Sequence, residues 1–376
     1  MDKMSGRDRF LALMEYKTVD RIPNHEVGVW AQTRELWASE GLDVGNYSWN
    51  WFIGDPKWDM DHREYLPINY GLVPPFEEEI LEENDRYIIK RHRDGIVTKA
   101  LKTGSVGNSR ACMDQYLSFP VESPDDFKKL KKRMIASMDD RYPENWEASV
   151  EEWNNRSHVL VMSRNCGTKG FFWRAREWMG TEGLCYAWYD EPKMMHEMME
   201  FIVDFTIEVS KPMLEKVIPD YVFINEDMAM KNGPLLSPGQ YREFIFPRMK
   251  RLVDFFKSKG VPYVAVDTDG NSEPLLPMLM DAGVDAIWPM ERAAQDQDPM
   301  ELRKKYGKDL RLWGGVDKRE LAKGFDEIEK HLASLLPIVE DGGFIPTVDH
   351  LVPPDVPLAN FKYYMKRKQD LLRGKF

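Results

Sequence analysis

From about residue 220 to its end the chain alternates short β-prone runs with helical periodicities, and no other property of the sequence restricts the fold as much. Tyr221–Asn225 is aromatic or β-branched up to its final Asn225, the pattern of a strand buried on both faces. Ser237 and Pro238 then supply an N-cap and a first-turn proline. Tyr241, Phe244, Ile245, Met249, Leu252, Val253 and Phe256 follow at helical spacing until Gly260. The same unit recurs with strands expected at Pro262–Asp267, Asp285–Pro289, Asp309–Trp313 and Gly343–Thr347. Their helices are expected through Leu275 to Leu279, then over 299–306, 328–339 and 357–372. An earlier unit pairs Ser157–Ser163 with a helix over 192–217. Parallel neighbours need crossover connections, so repeated strand–helix units imply a parallel sheet covered by helices.

With a further strand near Asn24–Trp30 and one or two in the intervening stretch, the count approaches eight. The expected fold is therefore a (β/α)8 TIM barrel, read as one domain over 1–376. Residues 31–157 read as an irregular insertion capping one mouth, with a hairpin at Tyr87–Leu101 around Asp94-Gly95. An open doubly wound sheet is the alternative. It would normally carry a glycine-rich phosphate turn, and neither G-x-G-x-x-G nor a Walker sequence occurs.

Charge narrows the partners. Against 63 Asp+Glu stand 52 Lys+Arg, a net charge of −11, which argues against nucleic acid and against an anionic membrane surface. No apolar run approaches the roughly 18 residues of a spanning helix. Met1 to Arg9 is polar without an apolar core, so a cytoplasmic protein is expected. Cys112, Cys166 and Cys185 are widely spaced, which suits reduced thiols and excludes a thiolate-rich zinc site. Trp30, Trp37, Trp49, Trp51 and Trp58 crowd one stretch, forming either an aromatic-lined cavity or, as the safer reading, a core patch.

Active sites of parallel barrels lie at the carboxyl ends of the strands. Those ends read Glu226-Asp227, Asp267-Thr-Asp269-Gly270, Glu291-Arg292, Gly314-Gly-Val-Asp317 and Asp349-His350. Strand ends meet water and are often polar, which accounts for part of this list. A histidine among several carboxylates on successive strands goes beyond it, because N and O donors of this kind hold divalent cations. Asp267 and Asp269, two apart, would face one side of a continuing strand, and His350 would join them. The plainer accounts are a carboxylate paired with Arg292 or capping a helix through Asn271 or Ser272, and a buried His350 that is structural or a general acid. The remaining histidines, His25, His62, His92, His158, His196 and His331, show no ligand spacing and read as structural, His25 being the reserve.

Several segments in order resemble the uroporphyrinogen decarboxylase superfamily. They are Gly6–Met14 with Asp20-Arg-Ile-Pro23, Trp178-Met-Gly-Thr-Glu-Gly183, Glu226–Pro238, Leu312-Trp-Gly-Gly-Val-Asp317 and Asp349–Pro357. The resemblance implies a (β/α)8 barrel and one of two chemistries, porphyrinogen decarboxylation or cobalamin-dependent methyl transfer. The decarboxylase branch carries Arg-Gln-Ala-Gly-Arg near its first strand, suited to a substrate with many carboxylates. Here that place reads Val29-Trp-Ala-Gln-Thr-Arg-Glu-Leu-Trp37, with Arg34 alone. The stretch Trp30 to Gly41 is instead similar to the methyltransferase pattern Trp-x-x-Thr-x-x-x-Trp-x-x-Glu-Gly. That branch's His-x-Cys-Gly-Asn zinc signature appears as Asp267-Thr-Asp269-Gly270-Asn271, with His350 in place of the later Cys. Carboxylates make a harder site than thiolates, matched to an oxygen rather than a thiol.

The resemblance implies a methyltransferase of the O-demethylase type. A methyl group would pass from a methoxylated, aromatic small molecule to Co(I) of a corrinoid (cobalamin) on a separate partner protein. Asp267, Asp269 and His350 are the expected ligands of a divalent metal, zinc by preference. Glu226 and His350 are the expected catalytic groups, and Trp30, Asn165, Arg292 and Asp317 the expected substrate contacts. The chain could also pair as a homodimer. A decarboxylase, or a member without activity, are the alternatives.

Overall fold

A computed structural model describes residues 3–45, 49–102, 105–106, 109–110, 114–162, 168–294 and 297–376. Its centre is a seven-stranded sheet, parallel throughout, whose strands lie side by side in chain order: Arg63–Tyr65, Val159–Met162, Tyr221–Asn225, Tyr263–Asp267, Ala286–Met290, Arg311–Val316 and Phe344–Val348. Consecutive order with helices between neighbours is what right-handed strand–helix units produce. The strands from Val159 onward are almost wholly buried, so their continuous apolar character comes from two covered faces. Phe246–Ser258 shows the matching helix, burying Met249, Leu252, Val253 and Phe256 along one stripe.

Five of the six strands expected from residue 157 onward lie within two residues of their places at both ends; Arg311–Val316 starts two residues late and ends three residues late. There the chain stays extended through Gly314 and Gly315 rather than leaving the sheet at Trp313. Both glycines have positive φ, and a Cβ on Gly314 would sit 2.7 Å from the Met290 backbone nitrogen. Glycine is what lets these two strands approach. Near Asn24–Trp30 no strand forms. A single bridge joins Val29 to Val352, and Asp61 N donates to Asn24 O.

Residues 31–157 contain regular elements. This stretch holds the Arg63–Tyr65 strand of the central sheet, the helices Ala31–Ser39, Pro124–Lys131 and Trp146–Asn154, and a separate antiparallel sheet. That sheet runs Glu79–Glu83, Tyr87–Arg91, Val97–Leu101, Gln115–Ser118, and its middle pair is the expected hairpin. Three glutamates among the five residues of Glu79–Glu83, with no alternation, hid an exposed edge strand. Two helices also differ from expectation. Phe171–Asp190 was not anticipated, because aromatic residues occupy both its buried side, as Phe171 and Trp178, and its exposed side, as Tyr186 and Tyr189, and blur the apolar stripe. The helix after Ser237 has the expected cap, a reciprocal box with Gln240, but passes through a π-helical turn at Tyr241–Ile245. Pro247 lies just beyond and has no N–H for the regular ladder, which the wider turn accommodates.

The tryptophan cluster is core. Trp37 and Trp51 are fully buried, and both rings pack on Phe361 of the last helix at 4.6 and 5.3 Å between centroids. Trp30 stands apart, 40% exposed, with its ring 6.2 Å from that of His350. Among the described residues no helix is long and apolar enough to cross a membrane.

Candidate active site at the carboxyl ends of the strands

A cavity of about 440 Å3 opens where the central strands end. Asn225 and Asp227 reach it from the third strand, Asp267 and Asp269 from the fourth, and His350 from the seventh, while Phe52, Trp173, Phe223 and Trp288 form its apolar wall. Three of the residues expected to meet do share this space. The His350 Nε2 lies 3.3 Å from Asp269 Oδ2. Burial disfavours the imidazolium, but the Asp269 hydrogen bond and the charges of Asp269 and Glu291 outweigh it, so the His350 pKa is raised.

The Asp269 loop is held from outside the cavity. Gly270 takes a positive φ, and a Cβ there would meet the Met230 carbonyl carbon at 2.7 Å. Its N–H donates to Glu291 Oε2 at 3.2 Å, and Lys318 Nζ donates to Glu291 Oε1 at 3.0 Å and to Asp349 Oδ1 at 3.3 Å. Asp349 is fully buried and also accepts the Arg292 backbone N–H. Burial raises its pKa, with Lys318 opposing. One lysine thus ties together the loops that carry Asp269 and His350.

Glu226 has a different environment from its neighbour. Its carboxylate is wholly buried and accepts the backbone N–H groups of Phe171 at 3.0 Å and Phe172 at 2.7 Å, the first turn of the Phe171–Asp190 helix. Burial pushes its pKa up to about 7, while those N–H groups pull it down. It is absent from the cavity lining. Asp227, one residue on, does line the cavity, with its backbone at φ 42° and its carboxylate 2.6 Å from Arg176 Nη2. Burial raises the Asp227 pKa and Arg176 opposes. Such a backbone is uncommon outside glycine and is held here by the ion pair and by the Asp267 carbonyl, which accepts both Glu226 and Asp227 N–H.

The other expected contacts lie elsewhere. Arg292 lines a separate cavity with Gln297 and Asp298 and pairs with Asp298. Asp317 caps the Lys318–Lys323 helix and pairs with Arg319 at 2.7 Å. Trp30 borders two neighbouring cavities, one of which, about 740 Å3, shares Trp173, Glu177 and Asp227 with the first. Asn165 lies outside the described residues. Sequence reasoning missed Lys169, Trp173, Arg176 and Glu177, which the unanticipated helix and its approach bring to the rim. Lys169 pairs with Glu177.

The sequence profile of the family described as uroporphyrinogen decarboxylase (URO-D) matches residues 175–370, more than half of the chain. The chain belongs to the URO-D family. Among curated relatives of this URO-D chain, a uroporphyrinogen decarboxylase of Myxococcus xanthus is 27% identical over 176 residues, 46% of each chain. One of Chlorobium limicola is 27% identical over 282 residues, 71% of each. The URO-D chain spans about half the length of the first of these relatives. Its fold is shared by a methyltransferase from Methanosarcina mazei with a TM-score of 0.62 at 16% identity, over 98% of this chain and 99% of that one. The same fold thus occurs in a protein of a second kind, and fold alone does not fix the chemistry.

Proposed function

We propose that this chain is a cytoplasmic, corrinoid-dependent methyltransferase of the O-demethylase type, closing as a (β/α)8 barrel with 31–157, apart from its Arg63–Tyr65 strand, as the cap. It moves a methyl group from a methoxylated aromatic substrate to Co(I) of a separate corrinoid protein. The observation that carries this reading is the 3.3 Å separation of Asp269 Oδ2 and His350 Nε2 in a cavity that Asp267 also lines. Two ligands of a tetrahedral zinc, each about 2.0–2.1 Å from the ion, sit roughly 3.3 Å apart. Asp267 lines the same cavity without bringing its carboxylate within 4.8 Å of both other donors, so the pair of one carboxylate and one imidazole is what fits a cation of the zinc class. A divalent cation held there would supply Lewis acidity to the ether oxygen, which a phenolate leaving group requires.

The chain's own residues supply the rest. Phe52, Trp173, Phe223 and Trp288 offer aromatic surface to a one-ring substrate and exclude water from the reacting bond. Asp227 and Arg176 give the rim a fixed polar edge, and Glu226 positions the helix that carries Trp173 and Arg176.

Charge speaks against the decarboxylase alternative that the named relatives suggest. Asp227, Asp267, Asp269 and Glu177 face the cavity together with Lys169, which is already paired to Glu177. Such a wall repels a substrate bearing many carboxylates. The test is methylation of cob(I)alamin by the purified protein with a panel of methoxylated aromatics, followed by loss of Co(I) absorbance, with Asp269→Ala and His350→Ala as controls. Turnover of uroporphyrinogen without methyl transfer would establish the decarboxylase instead.

A further inference from the structure

We infer that the amino ends of the first two strands of the central sheet form a second cation site, built from His62, Glu64 and His158 for a divalent ion of the zinc class. These residues are remote from the cavity above, which lies at the carboxyl ends. His62 directly precedes Arg63–Tyr65, and Glu64, two residues on, projects to the same side. His158 directly precedes Val159–Met162. The parallel register sets Arg63 opposite Val159 and so brings the two histidines level. Their ring centroids are 4.7 Å apart. One ligand atom from each of the three residues lies within 4.8 Å of the others, the one such set among the described residues.

A bare ion pair between His158 and Glu64, Nε2 to Oε2 at 2.8 Å, would explain two of the three groups. It does not explain the outer partners. His62 Nδ1 lies 2.8 Å from the Ile53 carbonyl oxygen, which can only accept, so Nδ1 carries the proton and Nε2 is the basic nitrogen. Trp153 Nε1 donates to Glu64 Oε1 at 2.7 Å, orienting the carboxylate and leaving Oε2 toward His158. A carbonyl behind one imidazole and an N–H behind the carboxylate are the supports that fix metal ligands.

Two imidazoles and one carboxylate select zinc and its neighbours over magnesium or calcium. His62 is exposed while Glu64 and His158 are half-buried, so an ion can enter and water can complete its shell. On binding, the ion replaces the hydrogen bond between His158 Nε2 and Glu64 Oε2, since both atoms would become ligands. The cross-link would join the three-residue Arg63–Tyr65 strand to its neighbour. Through Ile53 it would also steady the turn that carries Phe52, whose carbonyl accepts Tyr65 Oη–H at 3.3 Å.

The test uses untagged full-length protein, freed of metal by chelator and titrated with zinc, and in parallel with cobalt(II), whose visible absorption reports a nitrogen- and oxygen-bound shell. Wild type is expected to bind one equivalent more than His62→Ala and one more than Glu64→Gln. The same difference is expected in an Asp269→Ala/His350→Ala background. Zinc should raise the melting temperature of wild type by more than it raises that of the two variants. Equal uptake by wild type and both variants, with unchanged far-UV circular dichroism, would overturn the site. Failure of the cation site at Asp269 and His350 would look different, since altering those two residues would then leave uptake unchanged while the His62-dependent equivalent remained.

Discussion

Lys368→Met should destabilise the protein by about 4 kcal/mol. Lys368 lies in the last helix, Leu358–Leu372, and its side chain is completely buried. Its ammonium donates to Glu26 Oε1 at 2.6 Å and to the His25 carbonyl at 2.7 Å. Glu26, with 1% of its side chain exposed, also accepts Tyr364 Oη–H at 2.5 Å and Val348 N–H at 2.9 Å. This cluster joins the last helix to the strand that leads to His350 and to the segment bridged at Val29. Methionine keeps most of the lysine stem's volume, so little cavity opens. What remains is Glu26 as a buried carboxylate without its counter-charge, and removing one partner of such a pair costs about 3–5 kcal/mol. Glu26→Gln alone leaves the ammonium stranded and should cost a similar amount. The double variant removes both charges and should cost less than the sum of the singles by at least about 2 kcal/mol. Urea unfolding of the four proteins near neutral pH measures all of these energies. A Lys368→Met cost below about 1 kcal/mol, or strict additivity in the cycle, would show that the pair does not act as a buried ion pair.

Further consequences can be checked at other positions. In Gly170→Ala the new Cβ would fall 2.2 Å from Glu226 Cδ, so a loss of about 2–3 kcal/mol is expected in thermal or urea unfolding, with cavity activity falling alongside. The Arg9 hydrogen bond holds the Asp20 pKa down at about 2. A depressed acid stabilises the fold above its unfolded value near 3.8 and stops doing so as pH falls toward 2. The stability advantage of wild type over Asp20→Asn should therefore be full at pH 5 and shrink between pH 4 and 2 in acid unfolding curves. For methyl transfer, Asp269→Ala should lower kcat/KM by about 100-fold or more, whereas Arg292→Ala, which faces another cavity, should stay within about twofold. Arg176→Ala should fall between these limits, because it frees Asp227 without removing it.

How far the site could be read from the chain differs residue by residue. That Asp267, Asp269 and His350 share one cavity was legible because they lie at the ends of strands whose pattern is plain, and parallel strands in consecutive order gather their carboxyl ends. Asp227 was passed over for Glu226. Both follow the same strand, and only the φ of 42° at Asp227 decides that one carboxylate enters the cavity while the other turns to the Phe171 and Phe172 N–H groups. Arg292 and Asp317 have the right chain positions but find nearer partners in Asp298 and Arg319. His62 and His158 show no ligand spacing along the chain, since they lie about a hundred residues apart. The register between two strands is what brings them level.

Periodicity, punctuation and burial patterning are local, so the sequence by itself determined the alternating strands and helices, the apolar core and the polar residues that end each strand. It also carried enough of the family's segments to place the chain. Where those polar groups point was decided by the tertiary structure. A side chain just beyond a strand is aimed by the backbone angles of its turn and by whatever packs against that turn. Here those are Gly270 against Met230, Gly170 against Glu226, and Phe52 arriving from a remote loop. None of these contacts exists until the sheet has assembled, which is why carboxylates that look equivalent in the chain end in separate places.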